Sequence, residues 1–75
     1  MDKLPVCSGW EAVRAFERAG WRVVRQKGSH VTLTRSGSGV ILTVPLHREL
    51  DRGTLRSLIR KAGLSTDEFV KYLGH

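Results

Sequence analysis

Three short apolar patterns lie between Trp21 and Pro45, joined by connections of a few residues. Trp21 to Gln26 reads as a strand, Lys27-Gly28 as a tight turn, and His30 to Arg35 as a second strand. Ser36-Gly37-Ser38-Gly39 reads as a hairpin loop. A third strand then carries Val40, Leu42 and Val44 on one face until Pro45 ends it. Connections this short join antiparallel neighbours, because parallel strands need a long crossover. Side chains on a strand alternate between faces, so Val31 and Leu33 point one way and His30, Thr32 and Thr34 the other. Val23 and Val24 are adjacent, which leaves the inward face of the first strand ambiguous.

Helices flank this meander. Ser8 and Glu11 have capping-box spacing, in which each side chain satisfies a free backbone amide of the other. Ala12, Val13, Phe16 and Ala19 follow as an apolar stripe that Gly20 stops. Leu46 to Arg52 reads as a loop into a second helix, where Leu55, Leu58, Ile59 and Ala62 fall at i, i+3, i+4 and i+7. Gly63 ends it. Ser65 and Glu68 form a second capping box, with Leu64 placed to staple against Phe69. A short helix from Thr66 to Leu73 is expected to bury Phe69, Val70 and Leu73. The fold class is α+β: a two-layer arrangement of order α-β-β-β-α plus a short C-terminal helix. Its three-stranded antiparallel sheet carries the helices on one face.

A chain of 75 residues is expected to form one small domain over residues 1–75. Its one cysteine, Cys7, excludes an internal disulfide framework and fits a reducing cytoplasm. With no cysteine cluster and three scattered histidines, no metal site and no cofactor are expected. No apolar run is long enough for a bilayer span and the N-terminus has no signal-peptide pattern, so a cytoplasmic protein without a membrane role is expected. Thirteen Lys and Arg against seven acids give a net charge of +6. That bias favours partners with phosphate backbones or acidic proteins.

His30 is the candidate with the most chemistry. It opens a strand on the polar side, just after Arg25 and Lys27. Histidine is the side chain best suited to moving protons near neutral pH. A proton mover among cations points to an anionic substrate, and phosphodiesters are the first candidate.

Several segments resemble the HicA toxin family of bacterial and archaeal toxin–antitoxin systems. Ser8-Gly9-Trp10-Glu11 opens the first helix. The stretch Gly20-Trp21-Arg22-Val23-Val24-Arg25-Gln26-Lys27-Gly28-Ser29-His30 is similar to the family's most recognisable segment. Val44-Pro45 with His47 follows, and Gly53 to Ile59 with Ala62-Gly63-Leu64 resembles the second-helix signature. The resemblance implies a fold like the double-stranded-RNA-binding domain. It implies an endoribonuclease that cleaves mRNA, a catalytic histidine at His30, and a HicB-type antitoxin that occludes the active surface in a hetero-oligomer. Many family members carry a second histidine or an aromatic next to the first. Val31 stands there in this chain, so the proton-transfer partner stays open.

The remaining candidates each admit two readings. Arg25 and Lys27 are placed to bind phosphate. Lys27-Gly28-Ser29 either cradles a phosphate with backbone amides or is a plain hairpin turn. His47 is either a secondary acid or base or a loop histidine bonded to backbone. Arg52, Arg56 and Arg60 form a helical stripe that either tracks RNA, with Arg56 and Arg60 as binding residues, meets an acidic antitoxin, or is a solvated face. Trp10 and Trp21 are expected to pack rather than stack bases, Cys7 to be inert, and His75 to be solvated. The competing functional class is a non-catalytic RNA-binding module, which needs no proton mover.

Overall fold

The computed structural model describes residues 3–74. Its elements are α1 (Gly9–Arg18), β1 (Arg22–Lys27), β2 (His30–Thr34), β3 (Ile41–Pro45), α2 (Arg52–Lys61) and α3 (Thr66–Leu73). Both capping boxes form. At α1, Glu11 N donates to Ser8 Oγ at 3.1 Å and Ser8 N donates to Glu11 Oε1 at 2.8 Å. Ser65 and Glu68 repeat the arrangement at α3. The cap of α2 is Asp51, whose carboxylate accepts from the Gly53 and Thr54 amides.

The sheet has the order β1-β2-β3, antiparallel throughout. Val31, Leu33, Leu42 and Val44 are fully buried on one face, beneath α1 and α2. They meet Ala12, Val13 and Phe16 of α1 and Leu55, Leu58 and Ile59 of α2 in one core. α3 packs on α1 and α2. The Phe16 and Phe69 ring centroids lie 5.1 Å apart, and Arg18 Nη1 donates to the Tyr72 carbonyl at 2.7 Å. This is the α+β, double-stranded-RNA-binding-domain-like architecture expected from the sequence.

The differences are local. β1 runs one residue later than expected and bulges. Val23 pairs with Leu33 and Arg25 with Thr32, leaving Val24 as the extra residue. This resolves the ambiguous inward face. Val23 lies on the helix side of the sheet, but at an edge strand whose residues all remain exposed. Val40, expected on the buried face, is 37% exposed, because the ladder ends at Thr34 opposite Ile41 and Val40 belongs to the preceding loop. Val70 is half-buried rather than buried. Trp21 does pack, 3% exposed, with the Arg35 guanidinium 4.9 Å from its ring centre. Among the described residues, no helix is long and apolar enough to cross a membrane.

Candidate active site

The site starts from a turn. Lys27 and His30 are the last pair of the β1–β2 ladder, so Gly28 and Ser29 alone make the reversal. Gly28 has φ +57°, and no described non-glycine residue has positive φ, so Ser29 is at negative φ. That sign pattern belongs to the type II′ hairpin turn, whose twist matches the flanking strands. Nothing lies within 4 Å of where a Cβ on Gly28 would stand, so backbone conformation and not space calls for glycine.

The turn makes His30 the first residue of β2. His30 alternates with buried Val31 and Leu33, so it lies on the open face, exposed. Lys27 stands directly across from it, a separation of about 5 Å between Cβ atoms for such pairs. The next row on the same face pairs Arg25 with Thr32.

Three other segments meet the turn at this end of the sheet. His30 pairs with Pro45 on its other side. Leu46 N donates to the Ser29 carbonyl at 2.6 Å, which extends the contact one step beyond β3. Gly9 N, at the start of α1, donates to the His47 carbonyl at 2.9 Å. A Cβ on Gly9 would collide with the Pro45 carbonyl and come within 2.8 Å of Leu46 Cα, so α1 seats here only because residue 9 has no side chain. Leu50 N donates to the Cys7 carbonyl at 2.8 Å and brings the start of α2 to the same end.

The structure therefore gathers Arg25, Lys27, Gly28, Ser29 and His30, and brings the exposed His47 to the same end. It does not bring Arg56 and Arg60 to them. α2 packs against β3 on the covered face of the sheet, opposite the face that carries His30. Those two arginines line a separate groove with Ile59, Leu64 and Thr66 on the helical layer. Trp10 corrects its expected packing role: it is 47% exposed, in the first turn of α1 beside the His47 anchor. The signal was in the spacing, since Trp10, Arg14 and Glu17 fall at i, i+4 and i+7, off the apolar stripe, and all are exposed. Burial, with Glu11 adding its charge, pushes the Cys7 thiol up to about 11, so this cysteine is no nucleophile at neutral pH. Among the described residues, no group of three or more His, Cys, Asp or Glu side chains could hold a metal ion. His75 lies outside the described residues.

An exposed imidazole beside an ammonium, with a guanidinium in the next row, is suited to acid–base chemistry on a phosphodiester. No curated protein matches the chain. Among solved structures, a chain of a toxin–antitoxin complex from Streptococcus pneumoniae is similar, with a TM-score of 0.66 and 34% identity over 76% of this chain and 97% of that one. The family model described as HicA toxin of bacterial toxin–antitoxin matches residues 9–64, from the glycine seated on β3, through the whole β1–β2 turn and His30, to the end of the α2 signature. The chain belongs to the HicA toxin family.

Proposed function

We propose that this chain is a metal-independent endoribonuclease, an mRNA interferase, with His30 as its catalytic residue and a HicB-type antitoxin as its inhibitor. One observation carries the reading: His30 is exposed on the open face with Lys27 directly opposite and Arg25 in the next row. In the reaction, the ribose 2′-oxygen forms a bond to the adjacent phosphorus and the bond from phosphorus to the 5′-oxygen breaks. A base takes the 2′-hydroxyl proton and an acid protonates the leaving oxygen. His30 performs one of these transfers, and His47, brought to the same end of the sheet, is the candidate for the other. Lys27 and Arg25 hold the non-bridging oxygens as charge develops on them. Gly28 and Ser29 let the backbone approach the phosphate closely.

Residues 1–75 act as one domain in this reading, in the cytoplasm where mRNA is found. The antitoxin covers the open face around His30, and the net charge of +6 suits an acidic covering surface. Support for a partner comes from the Streptococcus pneumoniae relative, which was solved as a toxin–antitoxin complex.

The test is incubation of the purified protein with a defined mRNA in EDTA. The expected products end in a 2′,3′-cyclic phosphate and a 5′-hydroxyl. Cleavage abolished by EDTA, or products with a 5′-phosphate, would reject this chemistry. Tight RNA binding without cleavage would favour the non-catalytic module, which the architecture also suits.

A further inference from the structure

β1 carries three cations, Arg22, Arg25 and Lys27. In an unbroken strand, residues 22 and 25 point to opposite faces, because their spacing is odd. The bulge at Val24 changes this. Arg22 pairs with Thr34, Arg25 with Thr32 and Lys27 with His30. Those three partners alternate with buried Leu33 and Val31, so all three cations share the open face with His30. Bulges commonly re-aim a side chain next to an active site.

The rows are evenly spaced. Partners two residues apart on β2 are separated by about 6.7 Å along the strand. That step is close to the distance between successive phosphates in an extended single strand. Thr32, Thr34 and Thr43 place hydroxyl donors between the cations and the far edge of the sheet. Ile41, 56% exposed, faces the same side in the Arg22 row and offers apolar surface to a base.

We propose that the open face of the sheet is a single-stranded RNA track that leads to His30, with Arg22 as a phosphate contact two rows from the catalytic histidine. The bulge at Val24 is the device that puts Arg22 on the track. This rests on the ribonuclease reading and adds to it a binding surface and its direction. A repeating row of cations over hydroxyls matches the repeating charge of a nucleic acid backbone better than the irregular charge of a protein surface.

The test measures binding of a short unstructured oligouridylate against salt, in the His30→Ala protein so that the RNA stays intact. Arg22 is exposed on an edge strand, so its substitution should leave the fold unchanged, checked by circular dichroism. Loss of one single-strand phosphate contact flattens the slope of log affinity against log salt by about 0.7, which is roughly fivefold weaker binding at 0.1 M salt. Arg22→Ala should show that change and Arg22→Lys should keep most of the parent slope. Lys71→Ala, which removes the same charge from an exposed position on α3, should leave the slope as it was.

An unchanged slope in Arg22→Ala, with a flattened one in Arg25→Ala, would remove Arg22 from the track and leave the ribonuclease reading intact. Unchanged binding in Arg22→Ala, Arg25→Ala and Lys27→Ala together would overturn both the track and the proposed site. Weaker capture of the antitoxin by Arg22→Ala, with RNA binding unchanged, would make this face a protein-docking surface and overturn the RNA assignment.

Discussion

Neighbouring residues of β2 live in opposite environments. Val31 and Leu33 are fully buried in the core they share with residues of α1 and α2, whereas His30, Thr32 and Thr34 alternate with them on the open face. The two sets share one backbone and one ladder of hydrogen bonds. The covered face holds the small core that keeps a 75-residue chain folded. The open face has no core to maintain, so its side chains are free for chemistry and binding. In the proposed reading, stability and function are separated by the alternation of a single strand, and a substitution should register on one face or the other.

The largest expected break of that separation is on the covered side. Leu33→Ala leaves a cavity beneath the helices and should cost about 2–5 kcal/mol, read by denaturant unfolding. Any loss of activity should then follow the unfolded fraction. A loss of less than 1 kcal/mol with reduced activity would mean that the covered face contributes to the site directly.

Gly9→Ala tests the joint between the faces. The new methyl meets the Pro45 carbonyl, which is backbone and cannot swing aside. Overpacking of this kind costs about 1–3 kcal/mol. Because Gly9 also anchors His47, this variant should lose both stability and cleavage, unlike changes on either face alone. Full stability would show that α1 can seat elsewhere.

Arg60→Ala sharpens the comparison from the helical layer. Arg60 lies on α2 away from His30, so the salt slope of RNA binding should change less than in Arg25→Ala. An equal change would extend the RNA surface around to the helices.

The smallest effect concerns Cys7. Burial raises its thiol from 9.0 to about 11, so the folded state holds this proton more tightly than the unfolded state does. The resulting stabilisation is fully present below 9.0 and is lost as pH rises towards about 11. Cys7→Ala should remove that component of the decline, seen by comparing unfolding midpoints across this window. An identical decline in both proteins would assign it to other groups.

Much of this was legible in the chain because it depends on near neighbours. The Ser8 and Ser65 capping boxes and the helix from Thr66 to Leu73 follow from residues within a turn of one another. The Lys27–His30 hairpin is equally local, although its centre proved to be Gly28-Ser29. The bulge was not legible. Adjacent Val23 and Val24 fit either face, and only pairing with β2 decides which of them is the extra residue. The placement of His47 rests on the Leu46–Ser29 bond and on the Gly9 amide, both of them contacts between segments far apart in the chain. The arginine stripe of α2 was read from its period, but period does not say whether the stripe shares a face with His30, and it lies on the helical layer. Trp10 was misjudged because an aromatic residue in a short chain is usually needed for the core.

The most direct measurement compares His30→Ala with the parent protein in two readouts on one preparation, equilibrium unfolding and cleavage of a defined mRNA. His30 is exposed at a strand start, so its removal should change stability by no more than about 0.5 kcal/mol. Loss of a positioned acid or base should slow cleavage by roughly a hundredfold to ten-thousandfold. A folded His30→Ala protein that cleaves at the parent rate would contradict the account and move the chemistry away from the open face at His30.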